Sequence, residues 1–368
     1  MATPSISTAP PAEAGSDALS PYFGSYSTTD GDILVIARMG WFFDMRDATY
    51  RTIYATPTPN RFTIGLQFFR PLPKFADLVF DTGTLTVTHS TEKRTASRIK
   101  YKETDVHITA NGAQLAGTIT EPLSPAPHPG IVVIHGSEPG ERFYYDIWVG
   151  VYAGMGLAVL TYDKRGNGAS TGKYPGEFPT DAALSIYADD ANAALAFLGR
   201  WPSIDPKRVG FHGGSQGGWT VPLAIMRNPN PAASFAVLVS APATTVDQTD
   251  LWAGFSGGGQ FMPTQSLVEM QTAVRASHSG YDPAPALKAM RVPTLWLLGT
   301  NDRTVPTAIC VEILSAMNKP NFTVHLIPTG HGLLVNPTGL AADDERSPGL
   351  APDLVPAIKA WLRSAASI

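Results

Sequence analysis

From about residue 106 onward the chain alternates short, continuously apolar runs with longer amphipathic stretches, and that alternation restricts the fold more than any other feature. "GIVVIHG", "LAVLTYD", "RVGFHG", "FAVLVSAP", "VPTLWLLGTND" and "FTVHLIP" lack polar alternation, so they read as strands buried on both faces. "YDIWVGVYAGMG", "AALSIYADDANAALAFLGR", "AICVEILSAMN" and the closing "PDLVPAIKAWLRSA" read as helices. Strands and helices in turn imply βα units and a mostly parallel sheet with helices on both faces. The preceding segment has another texture. "DILVIAR", "RTIYAT", "RFTIGLQF", "DLVF", "TLTVTH" and "SRIKY" are rich in β-branched and aromatic residues and are separated by Gly, Pro, Asn and Asp. With a hairpin turn at "DTGT" (Asp81 to Thr84), they predict an antiparallel sheet or small barrel. The expected organisation is a disordered tail over 1–20, a β-rich accessory domain over 21–105 and an α/β catalytic domain over 106–368.

Composition removes several classes of function. The 368 residues carry a net charge of -4 and no basic cluster, so nucleic acid is not an expected partner. No apolar run approaches the roughly 20 residues needed to span a bilayer. The single cysteine, Cys310, allows neither an internal disulfide nor a multi-cysteine metal site, and reads as a small buried side chain. No metal-ligand motif is present and no cofactor is implied. The first twenty residues lack the charged and apolar regions of a signal peptide. They are read as a tail, or as the remainder left once an export signal has been removed, so the compartment stays open between cytoplasm and export.

The chemistry centres on "GFHGGSQGGW", where Ser215 is flanked by Gly213, Gly214, Gly217 and Gly218. An apolar strand precedes the serine and a helix-compatible run comes after it. The G-x-S-x-G spacing therefore fits a nucleophile elbow, with small residues expected two positions before and two after to avoid collision with strand and helix. Pro222 lacks a helical donor and predicts a kink or local departure. A serine nucleophile needs a base and a group to orient that base. Asp302 ends "VPTLWLLGTND", just past its apolar strand, and His331 lies just past "FTVHLIP", between Gly330 and Gly332, so both reach the sheet edge that carries Ser215. Asp247 is the rival acid. Of the eight histidines only His331 has this position; His212 reads as packed and His325 as structural. The oxyanion hole is expected from the backbone N–H groups of Gln216 and of Ser137 in "VVIHGSEPGERFYY", with His135 structural.

Four landmarks in order, "IHGSEPGER", "LTYDKRGNGASTG", "GGSQGGW" and "LLGTNDRTVP…PTGHG", resemble the serine-hydrolase branch of the α/β-hydrolase superfamily. The likeness is to its esterases and its dienelactone-hydrolase-like and serine-peptidase-like members, and it covers the chain from about Ile108 onward. The opening "LSPYFGSYST…GDILVI" resembles the lipocalin-like β modules attached to some serine hydrolases. The resemblance implies an α/β-hydrolase fold with Ser215 as nucleophile, His331 as base and Asp302 as its orienter, and the amides of Ser137 and Gln216 as the oxyanion hole. It also implies that "YDKRGNGASTG" is a structural turn holding Asp163 and Arg165. That stretch lacks the spacing of a phosphate loop. Where the familiar form of the first landmark has Gly, this chain has Glu138. Its carboxylate is read either as solvated and paired with Arg142 or as a holder of a substrate amino group.

The stretch from Ala241 to about Arg291 is expected to form a lid. Its Trp252, Phe255, Phe261 and Met262 either line the substrate pocket around a hinge-like Gly run or pack the insertion onto the core. The β module is expected to cover the site or to make a homodimer contact. The functional expectation is a cofactor-independent serine hydrolase acting on a small-molecule carboxylic ester through an acyl-enzyme. The alternatives are amide or peptide hydrolysis, acyl transfer, and a non-catalytic binding scaffold.

Overall fold

The computed structural model describes residues 12–227 and 233–368. It falls into two units: the chain up to Ile99 together with Glu345–Gly349, and Lys100–Asp344 together with Leu350–Ile368.

The first unit is a closed antiparallel barrel of eight strands: β1 (Gly24–Thr28), β2 (Ile33–Ala37), β3 (Trp41–Asp44), β4 (Tyr50–Ala55), β5 (Arg61–Gln67), β6 (Arg70–Asp81), β7 (Thr84–His89) and β8 (Glu92–Arg98). Closure comes from β8 pairing back onto β1, with Tyr26 opposite Arg98 and Thr28 opposite Ala96. An eight-stranded barrel has an interior of about the width that side chains can fill. Here the fill is Leu34, Phe42, Ile53, Phe62, Leu78 and Phe80, with the Tyr22 ring stacked 4.2 Å from Phe80. The Asp81–Thr84 hairpin is present, with Gly83 at φ 71°. Residues 1–11 of the expected tail lie outside the described residues. The rest of that tail is not extended chain: helix α1 (Ser16–Leu19) forms, and Leu19 is fully buried among the barrel aromatics. A Pro- and Ser-rich composition hid the one leucine with a core to enter. The segment Glu345–Gly349, expected in the catalytic domain, joins this unit because its carbonyls at Ser347 and Glu345 accept from the N–H groups of Phe68 and Phe69.

The second unit is an eight-stranded sheet with helices. Its strands are β9 (Lys102–Ala110), β10 (Ala113–Glu121), β11 (His128–Ile134), β12 (Ala158–Tyr162), β13 (Ile204–Gly214), β14 (Ala236–Val239), β15 (Thr294–Gly299) and β16 (Phe322–Ile327), in the order β16-β15-β14-β13-β11-β12-β10-β9. The β9–β10 hairpin turns at Asn111-Gly112 and β10 lies antiparallel to β12, while β12, β11, β13, β14, β15 and β16 run parallel. The connections carry α2 (Asp146–Gly154), α3 (Asp181–Gly199), α4 (Gly217–Arg227), α5 (Val246–Ser256), α6 (Leu267–Ala276), α7 (Ala284–Ala289) and α8 (Thr307–Ala316), and α9 (Ala341–Asp344) and α10 (Leu354–Ala365) come after β16. The mostly parallel sheet is the one expected from the strand and helix alternation, and the arrangement is the α/β-hydrolase fold that the resemblance implied.

The longest helix shows why the sequence folds this way. The Thr180 hydroxyl caps α3 by accepting from the Ala183 N–H. Leu184, Ala188, Ala191, Leu195 and Leu198 then recur three or four residues apart and are buried against the sheet. Each fully buried leucine contributes about 1.5–3 kcal/mol. Pro222 is the sixth residue of α4 and does not end it, the helix running from Gly217 to Arg227, although the proline supplies no N–H for the Gly218 carbonyl one turn back.

Candidate active site

Four of the parallel strands end at one edge of the sheet, and each hands a polar loop to that edge. Ser215 comes directly after β13. Its φ of 49° is left-handed, a strained conformation for a residue with a side chain. The turn is held by the Ser215 N–H donating to the Val239 carbonyl at 3.0 Å and by Gly218 N–H donating to the Ser215 carbonyl at 2.7 Å. A Cβ on Gly213 would come within 2.9 Å of the Val221 side chain, as the elbow spacing requires. The position two residues after the serine behaves differently from expectation. A Cβ on Gly217 would meet only ordinary contacts at 3.5 Å, whereas on Gly218 it would lie 2.5 Å from Ala241 Cβ. The crowding after the serine comes from the chain leaving β14, which touches the helix one residue later than the motif spacing suggests.

His331 lies beyond β16, and Asp302 beyond β15. The His331 Nδ1–H donates to Asp302 Oδ2 at 2.8 Å, and Nε2 lies 3.1 Å from Ser215 Oγ, placed to accept its proton. Asp302 is 3% exposed, and its other oxygen accepts from the N–H groups of Thr304 and Val305, both at 2.8 Å. The rival Asp247 sits in the first turn of α5, and the carboxylate on His331 is that of Asp302. Burial opposes charging His331, but Asp302, Glu138 and Asp344 more than offset it and raise its pKa above the ordinary histidine value. His212 is buried beside Trp148 and Tyr152, and its Nδ1 is hydrogen-bonded to the Tyr152 hydroxyl. His325 pairs with Asp353 at 3.0 Å on the surface.

The loop after β11 brings Ser137 to the pocket that contains Ser215 and Gln216. His135 donates to the Tyr162 carbonyl, and burial together with Lys164 pushes its pKa down to about 4, so it is neutral. Glu138 does not pair with Arg142, as one reading expected. Arg142 turns to Asp163 at 3.2 Å and Asp105 at 3.7 Å, and Glu138 instead accepts from the Tyr145 hydroxyl at 2.6 Å. Tyr145 in turn accepts from the Gly136 N–H at 3.1 Å.

The pocket at Ser215 has a volume of about 200 Å³. Its apolar wall is Phe178, Pro179, Trp219, Pro242 and Val305, and Glu177 and Asp250 add two carboxylates. None of the four aromatic or methionine residues singled out in the insertion lines it. Phe255 lines an adjoining groove with Leu251 and Ser277, which meets the Ser215 pocket at Asp250. Phe261 and Met262 are each 58% exposed, and Met262 sulfur accepts from Arg303 at 3.4 Å. Trp252 uses its indole N–H on the Asp302 carbonyl at 3.2 Å. The Gly run, Gly257–Gly259, is a 3-10 turn with all three residues at positive φ, and the adjacent Ser256 is hydrogen-bonded to Arg303 through both its hydroxyl and its carbonyl. The insertion thus braces the loop that carries Asp302.

Sequence reasoning missed five contributors. The wall residues Glu177 and Phe178 come from an irregular stretch with no periodicity to mark it. Asp250 was outshone by the aromatics next to it. Ser240, at φ 47°, donates its hydroxyl to the His331 carbonyl at 2.7 Å. Lys164 was absorbed into a structural turn, yet it is 3% exposed and reaches the loop beside the pocket. Its lysine-arginine sequence was the available signal, because a lysine inside an otherwise apolar strand end needs buried acceptors.

Comparison with known proteins gives a family match and a likeness of fold. Residues 144–334 match the family described as the prolyl oligopeptidase family. An uncharacterized protein of Mycobacterium tuberculosis is 25% identical over 224 residues, which are 61% of this chain and 70% of that protein. The quorum-quenching protein AidA of Acinetobacter baumannii is 29% identical over 171 residues, 46% of this chain and 51% of AidA. Among solved structures, the Pyrococcus furiosus esterase Pf2001 superimposes with a TM-score of 0.52 at 17% identity, covering 73% of this chain and 92% of the esterase, a likeness of fold.

Proposed function

The chain belongs to the prolyl oligopeptidase family and is therefore a serine hydrolase, and on that premise we propose that it cleaves carboxylic esters through Ser215, His331 and Asp302. The observation that carries this reading is the hydrogen-bonded chain from Asp302 through His331 to Ser215, with links of 2.8 and 3.1 Å. His331 takes the hydroxyl proton as Ser215 attacks the carbonyl carbon. Asp302 fixes the tautomer and stabilises the imidazolium. The carbonyl oxygen, now negative, is received by the N–H groups of Ser137 and Gln216, each worth on the order of 3 kcal/mol in acyl-transfer sites. His331 then protonates the leaving alkoxide, and the same histidine activates water to release the acid from the acyl-enzyme.

A specific observation favours a second reading, amide or peptide hydrolysis. Glu177 and Asp250 line the pocket, two carboxylates that could receive a substrate amine, whereas Glu138 is turned to the Tyr145 hydroxyl and does not line it. The test compares p-nitrophenyl esters from acetate to octanoate with aminoacyl p-nitroanilides. The ester reading expects the larger kcat/KM on the esters, and the Asp250→Asn and Glu177→Gln variants leave those rates within about threefold. Faster cleavage of the anilides, with a loss of tenfold or more in the same variants, would replace it with the peptidase reading.

A further inference from the structure

Lys164 ends the stretch that leaves β12, and its ammonium points under the loop that carries Ser137. It donates to the carbonyls of Gly136 at 2.7 Å, Ser137 at 3.2 Å and Glu138 at 3.1 Å, and lies 3.4 Å from Gln216 Oε1. The Tyr187 ring lies under the same charge at 4.5 Å and the Tyr174 ring at 5.5 Å. An ammonium has three hydrogens, and here they face three successive backbone carbonyls.

The first of those carbonyls matters most. Gly136 C=O and Ser137 N–H belong to one trans peptide, so they point in opposite directions. Holding the oxygen on the ammonium aims the N–H the other way, and drawing electron density to the oxygen makes that N–H a stronger donor. The side chain of Gln216 is tied to the same cation, and Gln216 supplies the second amide of the proposed oxyanion hole. We propose that Lys164 is a positioning residue for ester hydrolysis: its ammonium clamps the 136–138 loop so that the Ser137 N–H meets the developing oxyanion. The inference rests on the proposed role of Ser215 and adds the group that assembles its anion site.

The clamp needs the charge. A neutral amine keeps two hydrogens and turns a lone pair toward the third carbonyl. Burial pushes Lys164 down to about 8, against the pull of Glu138 and Glu177. The other titratable groups facing it are His135, held neutral by burial, and Tyr174 and Tyr187, whose phenols are pushed above their ordinary value. The clamp is then lost as pH rises through about 8. Over the window from there to the unfolded lysine value the unfolded chain binds more protons, so this group's own contribution to stability rises with pH. An alkaline loss of activity from Lys164 is therefore separable from unfolding.

The experiment measures kcat and KM for p-nitrophenyl butyrate from pH 6 to 10 on wild type, Lys164→Met and Lys164→Arg, with melting curves at each pH. The expected wild-type profile falls in kcat above about pH 8 while the protein stays folded. Lys164→Met is expected to lose about 100-fold in kcat at pH 7 with KM within about threefold, the size of losing one oxyanion donor. Lys164→Arg, which keeps its charge, is expected to remove the alkaline decline. A folded Lys164→Met with kcat within threefold of wild type would overturn the inference, as would an alkaline limb unchanged in Lys164→Arg. Should neither variant fold, the wild-type profile decides, and a flat kcat to pH 10 overturns it. A wild type that turns over no ester and takes no serine-directed label removes the Ser215 reading and this inference together, whereas an active wild type isolates the question of Lys164.

Discussion

The Ser240 hydroxyl lies 2.7 Å from the backbone carbonyl of His331, while its own N–H donates to the Leu297 carbonyl at 2.8 Å. The residue at the end of β14 thereby ties the histidine loop after β16 to the neighbouring strand β15. Replacing it with alanine removes one buried hydrogen bond, about 1 kcal/mol. Ser240→Ala is expected to lower kcat by about three- to tenfold with little change in KM, because the imidazole loses its fixed position while the pocket does not change. Steady-state kinetics on a short-chain ester checks it.

Asp302 and its neighbours hold His331 above the ordinary histidine value, and a base must be neutral to accept the serine proton. The base is therefore competent above the raised pKa, and activity is lost as pH falls through it, separately from the alkaline decline expected from Lys164. The acid limb of kcat/KM is expected above the roughly 6.5 of a free histidine. In Asp302→Asn the carboxylate that raises the pKa is gone and the tautomer is no longer enforced, so kcat is expected to drop by about 10⁴-fold. A pH–rate profile of both proteins reads the two effects.

The glycines around the serine differ in what they tolerate. Gly218→Ala places a methyl 2.5 Å from Ala241 Cβ and is expected to destabilise by about 1–3 kcal/mol. Gly217→Ala meets only ordinary contacts and is expected to leave stability within about 0.5 kcal/mol. Urea denaturation of the pair measures the difference.

Arg165 and Asp190 form a buried two-point pair, with Arg165 Nε donating to Asp190 Oδ2 at 2.9 Å and Nη2 to Oδ1, and they are 6% and 1% exposed. This is the scaffold role expected of Arg165 in the turn after β12. Removing one partner leaves a buried charge alone, so Asp190→Asn or Arg165→Met is expected to cost about 3–5 kcal/mol, seen as a lower denaturation midpoint.

A feature was legible in the sequence to the extent that neighbouring residues determine it. The strand carrying "FHGG", the turn it feeds and the chain order of Ser215, Asp302 and His331 are set by apolar runs and the loops that end them, and both are written in consecutive residues. The sheet was legible for the same reason. The pocket wall was not. Phe178 and Pro179 reach Ser215 from a non-repetitive stretch whose path depends on what it packs against, and Trp252 was drawn to a backbone carbonyl that sequence spacing does not reveal. Lys164 was given no role of its own within the structural turn because its three acceptors lie in a loop more than twenty residues earlier. Leu19 read as tail because a single apolar residue carries no periodicity.

The account turns on Ser215 as the nucleophile, and stoichiometric labelling with a fluorophosphonate probe tests that most directly. Wild-type protein is expected to take up one label per chain and lose ester hydrolysis in parallel, while folded Ser215→Ala takes up none. Labelling that persists in Ser215→Ala, or folded wild type that neither labels nor hydrolyses any ester or anilide, would contradict it.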